Sequence, residues 1–221
     1  MWGCVLKEVI YNLVGKFKYW CISVRGYERK IIKMIGKFKL DANTALLVVI
    51  DLQEKLLAAM PENAIVRMEK VVETLWDGAV VLGIPILVTE QYPKGLGGTL
   101  PSLEERAAQA GIVKISKMAF SCCAENEFNT ELEKAGRKKV ILCGQESHVC
   151  VLQTALDLLE KGYEVFVAAD AVCSRDAFHG QLALEEMRQA GCVVEPVESL
   201  LFKMLGKAGT EQFKAIARLI K

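Results

Sequence analysis

KVILCGQESHVCVLQTALDLLEK, residues 139–161, contains in one stretch the pattern that decides the fold. Residues 139–143 are a short, mostly apolar run followed by a glycine, and such a run predicts a strand covered on both faces. From Cys150 onward, apolar residues recur three and four positions apart, which predicts an amphipathic helix over 150–161. A strand followed by a helix is the repeating unit of parallel sheets.

The same alternation begins at Ala45 and continues along the chain. Strands are predicted over 45–50, 84–88, 112–116, 139–143, 164–168 and 192–197, and helices over 62–82, 125–134, 150–161 and 178–189. Glycines suited to left-handed helix caps precede the later strands: Gly83, Gly111, Gly136, Gly162 and Gly191. We therefore predict an α/β fold, a single doubly wound, three-layer α/β/α domain of Rossmann-like type with a six-stranded parallel sheet.

Residues 89–101, TEQYPKGLGGTLP, interrupt the alternation. Their glycines and prolines predict an irregular surface loop. Long loops directly after a strand often carry function. We expect this loop to shape a binding site.

Residues 1–40 do not follow the alternation and carry nine Lys or Arg against two Glu, a net charge of +7. Lysines break up their apolar residues, so no integral membrane span is predicted. The segment is interpreted either as a basic amphipathic anchor or presequence, or as an extension outside the native fold with Met34 as the natural start. We favour the second interpretation and assign the folded domain to residues 41–221.

The composition of the remaining residues narrows the class of ligand. They carry a formal net charge of −6, against +1 for the whole chain, and contain no basic stripe. A small molecule is therefore expected as substrate rather than a nucleic acid. Two histidines and no CxxC motif predict neither a metal site nor another cofactor. The cysteines lie in or beside apolar runs, which predicts reduced thiols in a cytoplasmic compartment.

Polar residues directly follow three predicted strands, in IDLQ, ISKMAF and CGQESHVCV. The carboxyl ends of parallel strands share one edge, so we expect Asp51, Lys117 and Cys150 to converge there. At the first turn of a helix, Cys150 would gain thiolate character from the helix dipole. Asp51 would take and return its proton, and the Lys117 ammonium would stabilise both groups. Backbone N–H groups of the turn over 144–149 can hold an oxyanion.

Each of these residue types also has a purely structural interpretation, in which the cysteine packs, the aspartate caps a helix and the lysine is solvated. A dyad of His148 with Cys150 is not predicted, because residues so close in a helix do not face each other. His148 is interpreted as a pocket or turn residue. His179 either lines the pocket or begins a solvated helix, and the latter is favoured. Cys122 and Cys123 are interpreted as packing residues.

The motifs DLQ, KMAFS and GQESHVCV resemble those of the isochorismatase-like cysteine hydrolases, over about residues 42–205. The resemblance implies strand order 3-2-1-4-5-6, a catalytic triad of Asp51, Lys117 and Cys150, and a thioester-type intermediate. It also implies a cis peptide before Glu146 and an oxyanion hole formed by the backbone N–H groups of Glu146 and Cys150.

Departures from the family pattern refine this expectation. The 89–101 loop lacks the histidines of metal-dependent nicotinamidases, and Cys150 disfavours the non-covalent reaction of siderophore isochorismatases. Ser147 replaces a commoner threonine. VTEQYPKGLG with ESHVC and LQTALDLL looks most like the subgroup called isochorismatase domain-containing proteins. The residues expected at the substrate pocket are Gln53, Tyr92, Phe120, Ser147 and His148; Gln53 either orients Asp51 or caps the following helix.

The sequence therefore predicts a cysteine-dependent hydrolase of a small amide, ureide or related C–N bond. Two alternatives stay open: a small-molecule-binding or scaffold protein without turnover, and a redox-sensing thiol protein using Cys150. The intact set of three residues favours the enzyme, since a sensor needs only a thiolate. By resemblance, a homo-oligomer, dimeric or larger, is expected.

Overall fold

The computed structural model of the chain describes residues 35–112 and 114–221. Leu40–Lys221 form one compact unit, and residues 1–39 are assigned to a second. The predictions for the N-terminal extension fall mostly on residues 1–34, which lie outside the described part of the chain.

The folded unit is built on a six-stranded, wholly parallel sheet in the order β3-β2-β1-β4-β5-β6. The strands are β1 (Ala45–Ile50), β2 (Ile86–Gln91), β3 (Lys114–Lys117), β4 (Lys139–Gln145), β5 (Glu164–Cys173) and β6 (Val193–Glu195). The predicted doubly wound sheet and its strand order are confirmed.

Helices connect the strands and cover the sheet. They are α1 (Glu54–Leu57), α2 (Glu62–Val81), α3 (Pro93–Leu96), α4 (Pro101–Ala110), α5 (Asn126–Ala135), α6 (Leu152–Glu160), α7 (Ala177–Ala190), α8 (Val197–Leu205) and α9 (Glu211–Leu219). A π-helical turn, Ser147–Val151, leads into α6. The predicted helices of the βα units are present, with ends shifted by one or two residues except where the π-helical turn replaces the start of α6.

Two cores lie on opposite faces of the sheet, because successive strand residues point to opposite sides. Leu47 and Val49 belong to a buried cluster with α2, α4, α8 and α9. Leu46 and Val48 belong to a second cluster with α5, α6 and α7. This arrangement is the predicted three-layer α/β/α architecture.

The prediction of a loop over residues 89–101 was wrong for the first three residues. Thr89, Glu90 and Gln91 continue β2 as buried strand residues, and only the following residues leave the sheet. Their polar side chains tolerate burial because each is hydrogen-bonded: Thr89 to Asp51, Glu90 to Thr99, and Gln91 to the backbone of Met118. Because β2 extends to Gln91, these polar residues lie at the carboxyl edge of the sheet.

The sequence did not predict α4, α8 and α9. In α4 only Leu103 and Ala107 are buried, and in α9 only Ile216. The narrow buried face of α4 offers few positions to a periodic pattern. In contrast, α8 buries Val197, Leu200, Leu201 and Met204 at helical spacing and begins at the residue where the last predicted strand ends. The helix α9 is amphipathic as well, but the prediction did not include it.

Gly144 is required where β1 and β4 run side by side. It lies opposite Ile50 in the sheet, with φ 118°. A Cβ at this position would lie 1.9 Å from the Ile50 carbonyl oxygen, which no side chain can tolerate. The glycine thus permits the close approach of the two strands that deliver Asp51 and the turn after β4.

Replacing Gly144 with alanine is expected to lower the free energy of unfolding by at least about 3 kcal/mol, because the backbone conformation and the contact are both forbidden. Urea denaturation measures the change. Gly180→Ala is the matched control, since that glycine lies in α7 with its nearest neighbours 3.5 Å from the added Cβ. The control should be neutral or stabilising by up to about 1 kcal/mol. Equal stability of the two variants would contradict the close approach.

Candidate active site

The carboxyl ends of the neighbouring strands β3, β2, β1 and β4 lie along one edge of the sheet. The strand order reverses between β1 and β4, and open α/β sheets bind ligands at such switch points. Asp51 directly follows β1 with φ 52°, and its backbone N–H donates to the Thr89 carbonyl. Lys117 ends β3, and Cys150 lies on the π-helical turn after β4. The structure brings these three predicted residues together.

A buried ion pair forms the floor of the site. Lys117 Nζ lies 2.7 Å from Asp51 Oδ2, and neither side chain is exposed to solvent. The ammonium also donates to the Gln91 side-chain oxygen and to the Phe120 carbonyl at 3.0 Å. A buried cation needs this many acceptors, because removing a charge from water is costly.

The two oxygens of the Asp51 carboxylate have different surroundings. Oδ1 accepts a hydrogen bond of 2.8 Å from the Thr89 hydroxyl. Oδ2 faces the Lys117 ammonium but has no aligned hydrogen-bond donor among the described residues. The carboxylate therefore retains a lone pair that can receive a proton. Gln145 Nε2 holds the backbone behind it by donating to the Asp51 carbonyl at 3.0 Å.

The Cys150 sulfur lies beside the side chains of Lys117 and Gln91. Sγ lies 3.4 Å from Lys117 Nζ and 4.0 Å from Gln91 Oε1, and the residue is buried. Burial raises the pKa of the Cys150 thiol to about 12, and the Asp51 charge adds to this while Lys117 opposes it. The expectation that the helix start favours a thiolate is therefore corrected. In the resting site, burial and the charge of Asp51 together outweigh the stabilisation of the thiolate by Lys117.

Burial and neighbouring charges also shift the pKa values of Asp51 and Lys117. Burial raises the pKa of Asp51 above its ordinary value, although Lys117 and Thr89 oppose the rise. Burial is the largest single effect on Lys117 and would lower its pKa, but the interactions with Asp51, Cys150 and Cys122 together outweigh it, so the pKa lies above its ordinary value. Lysine is thus held as a cation, and the aspartate is a stronger base than a solvated carboxylate.

Thr89 and Gln91 are site residues that the sequence analysis missed. Thr89 orients Asp51, and Gln91 contacts both Lys117 and Cys150. Both were assigned to a loop, because the glycines and prolines that follow dominate the composition of 89–101. The available signal was that TEQ directly follows an apolar strand, as IDLQ does after β1.

Gln53 does not line the pocket, in contrast to the prediction. Its side chain is unexposed and bonded at both ends: Nε2 donates to the carbonyls of Gln91 and Gly97, and Oε1 accepts from the Gln91 N–H. It neither contacts Asp51 through these groups nor caps α1 by a side-chain hydrogen bond. Its amide instead ties the end of β2 to the loop beyond it.

Tyr92 and Phe120 lie next to residues that hold the ion pair. The Tyr92 N–H donates to the Lys117 carbonyl at 2.9 Å, and the Phe120 carbonyl accepts from the Lys117 ammonium. The side chains are about half exposed, at 46% and 53%. Ser147, by contrast, is buried in the turn after β4.

His148 lies on the π-helical turn and His179 lies near the start of α7, and neither ring is bonded to the sulfur. His148 Nδ1 pairs with the Ser174 hydroxyl at 2.9 Å, and its ring lies 5.3 Å from that of His179. His179 is more than half exposed and lies near the start of α7, beside Asp176. No hydrogen bond joins either imidazole to Cys150 among the described residues; the sulfur contacts Lys117 and Gln91 instead.

Glu146 opens the turn that carries Cys150. The Gln145–Glu146 peptide bond is cis. The Glu146 side chain is 5% exposed and pairs with Arg175, which the sequence analysis did not assign to the site. Burial opposes ionisation of Glu146, but hydrogen bonds and charge from Arg175 outweigh it and hold the pKa below its ordinary value.

Cys122, Cys123, Cys143, Cys150 and Cys173 are free and buried. Among residues 35–112 and 114–221, no group of three or more His, Cys, Asp or Glu side chains could hold a metal ion. No helix in this described part combines the length and apolarity needed to cross a bilayer.

The pattern that defines the isochorismatase domain matches residues 45–199, which include every strand of the sheet and the three residues at its edge. The chain belongs to the isochorismatase family. Its fold is the hydrolase fold of that family, whose members are generally hydrolases.

Three known proteins illustrate the similarity. Isochorismatase domain-containing protein 2A of Mus musculus is 40% identical over 184 residues, covering 80% of this chain and 83% of its own. The secreted isochorismatase effector Isc1 of Phytophthora sojae is 43% identical over 150 residues, covering 67% and 71%. MAR1 ribonuclease from Caenorhabditis elegans has a similar structure, with a TM-score of 0.76 at 38% identity, covering 82% of this chain and 92% of its own.

Because the pKa of the Cys150 thiol is raised to about 12, its alkylation by iodoacetamide is expected to be slow at pH 7 and to rise about tenfold per pH unit up to pH 9. Asp51→Asn should speed alkylation at pH 8, because it removes a charge that raises the pKa. Lys117→Met should slow it, because the ammonium lowers the pKa. Peptide mass spectrometry measures the labelled fraction, and a rate that levels off below pH 8 would contradict the protonated resting thiol.

Proposed function

We propose that this chain is a cysteine hydrolase that cleaves the C–N bond of a small amide, ureide or related compound through a thioester-type intermediate. One observation carries the proposal: a buried ammonium, Lys117 Nζ, lies 2.7 Å from a carboxylate oxygen of Asp51 and 3.4 Å from the Cys150 sulfur. A nucleophile, a proton acceptor and a cation are thus within reach of one reacting atom.

In the first step, the Cys150 sulfur attacks the carbonyl carbon of the substrate while its proton passes to Asp51 Oδ2. A C–S bond forms, and the carbonyl π electrons move onto the oxygen. The backbone N–H groups of Glu146 and Cys150 hold that oxyanion, as preorganised donors do in acyl transfer. Asp51 then returns the proton to the nitrogen, the C–N bond breaks, and the amine or ammonia leaves.

In the second step, water attacks the thioester carbon and gives a proton to Asp51. The C–S bond then breaks, the acid product leaves, and the sulfur recovers its proton from Asp51. The sum is one amide and one water converted to one acid and one amine. Asp51 acts in turn as general base and general acid, which its raised pKa favours because the proton must move in both directions.

Lys117 has an electrostatic role in this scheme. Negative charge moves from Asp51 to the attacking sulfur, and the ammonium contacts both groups throughout. A fixed cation in a site without solvent stabilises such a shift without reorganising. Gln91 and the Phe120 carbonyl keep the ammonium in place.

The alternatives from the sequence are less well supported. A redox-sensing cysteine needs a readily formed thiolate, whereas the pKa of Cys150 is raised to about 12 in the resting site. A binding protein without turnover has no need of a buried ion pair against a thiol, since such a pair is costly to bury. The hydrolase uses all three groups.

The central test is a screen for ammonia or amine release from small amides, carbamoyl compounds and ureides. For any compound that is turned over, Cys150→Ser and Asp51→Asn are each expected to lower kcat by at least about a thousandfold, because nucleophile and base act as a unit. Wild-type enzyme quenched during turnover should carry the acyl mass on the peptide containing Cys150.

Glu125→Gln is the matched control, because that carboxylate accepts from the Met118 N–H at 3.0 Å but lies outside the proposed machinery. Oligoribonucleotide cleavage is assayed in parallel, since one structural relative is a ribonuclease. Turnover that survives in Cys150→Ser, or RNA cleavage without turnover of any amide, would overturn the proposed chemistry.

We further propose that the chain forms homo-oligomers and functions in a reducing, cytoplasmic compartment. Large apolar side chains near the candidate active site are exposed in the single chain, namely Tyr92, Met118, Phe120 and Phe178. Exposed apolar groups of this size favour self-association. The free thiols of Cys122, Cys123, Cys143, Cys150 and Cys173 support a reducing compartment.

Light scattering on the eluting protein is expected to give at least twice the chain mass of 24.4 kDa. Met118→Ser is expected to weaken the assembly, because that side chain is 68% exposed and apolar. Val66→Ser, at a position that is also 68% exposed but on α2, is the control and should leave the mass unchanged. A monomer at micromolar concentration would refute the oligomer.

A further inference from the structure

Arg175 binds the buried carboxylate of Glu146, the first residue of the segment 146–150, which we call the nucleophile turn. Its backbone N–H donates to Glu146 Oε2 at 2.9 Å, and its Nε donates to the same oxygen at 3.0 Å. Its terminal nitrogen donates to Glu146 Oε1. A planar guanidinium that meets a carboxylate with two parallel donors fixes orientation as well as distance.

The sheet places these two residues side by side. Gln145, the last residue of β4, lies opposite Cys173, the last residue of β5, so the segments that follow both strands are neighbours. Two weaker contacts also join them: His148 Nδ1 with the Ser174 hydroxyl at 2.9 Å, and the Cys173 sulfur with the Gln145 side chain at 3.6 Å. Only the contact of Arg175 with Glu146 pairs opposite charges.

The two partners differ in exposure. The Glu146 side chain is 5% exposed and that of Arg175 is 60% exposed. The guanidinium therefore remains hydrated, whereas the carboxylate depends on it for compensation. Without the Arg175 side chain, Glu146 would keep only the backbone donor and would have to move toward water or take up a proton.

Glu146 also organises the backbone around the nucleophile. Its carbonyl accepts hydrogen bonds from the N–H groups of Val149 and Val151, at 3.1 and 3.2 Å. These residues flank Cys150 on both sides. A rotation of Glu146 would therefore change the direction of its own N–H and of the turn that carries the sulfur.

We propose that Arg175 is a positioning residue: through the Glu146 carboxylate it fixes the nucleophile turn in the orientation that stabilises the oxyanion. This inference rests on the proposed function, because it assigns a role in acyl transfer to Cys150. Arg175 itself does not touch the reacting atoms. Its loss should slow reactions that pass through an oxyanion and spare those that do not.

Two reagents that target the same sulfur separate these cases. p-Nitrophenyl acetate acylates a thiol through a tetrahedral oxyanion and releases p-nitrophenol, whereas iodoacetamide alkylates it by displacing iodide without an oxyanion. Acylation of Cys150 in Arg175→Ala is expected to be about 10- to 100-fold slower than in wild type. Alkylation at pH 8.5 should stay within about twofold, since the thiol and its charged neighbours are unchanged.

Arg106→Ala is the matched control, because Arg106 also pairs its Nε with a carboxylate, Asp77, at 3.1 Å on the other face of the sheet. It should match wild type in both reactions. Arg175→Lys keeps the positive charge but loses the two parallel donors of the guanidinium, and it should recover part of the acylation rate. If Arg175→Ala does not unfold cooperatively, Arg175→Lys and Arg175→Gln replace it, and acylation should then be slower in Gln than in Lys.

The outcomes are distinct. Acylation of Arg175→Ala at the wild-type rate overturns the positioning role and leaves the proposed function intact. Equal slowing of acylation and alkylation also overturns it, because the effect would then be a general loss of structure around the sulfur. A wild-type protein in which Cys150 is alkylated but never acylated overturns the proposed function, and the positioning role with it.

Discussion

The buried ion pair between Lys117 and Asp51 is the constraint on which the rest of the site depends. Two charges without solvent contact are tolerated only when each meets the other and polar neighbours compensate them further. The pair joins the ends of β1 and β3, which lie on either side of β2. It also explains why β2 ends in polar residues, since Thr89 and Gln91 complete the hydrogen bonds of the pair.

The same burial determines the chemistry available to Cys150. A thiol at an exposed helix start would ionise more readily, but this one is surrounded by protein and faces a carboxylate, so its pKa rises to about 12. Burial also raises the pKa of Asp51. In the mechanism proposed above, Cys150 is activated by transfer of its proton to Asp51, and Lys117 compensates the negative charge on either group.

Much of the fold was predictable because it rests on local patterns. The apolar runs identified every strand of the sheet, and the rule that strand ends share an edge brought Asp51, Lys117 and Cys150 together before any coordinates were known. Thr89 and Gln91 were missed because glycine and proline after them suggested a loop. The helix α4 was missed because only two of its residues are buried, whereas α8 and α9 were missed although both are amphipathic.

By itself, the sequence determined the parallel sheet, its order through the resemblance in DLQ, KMAFS and GQESHVCV, and the three polar residues that meet at its edge, since these follow from periodicity and from residues adjacent in the chain. Only the tertiary structure decided that the thiol keeps its proton, that Gln53 braces the backbone instead of facing a substrate, and that Arg175 holds Glu146. The reason is physical: desolvation and hydrogen-bond partnership depend on groups 26 to 59 positions apart in sequence, such as Gln91 and Cys150, whose distances no local pattern contains.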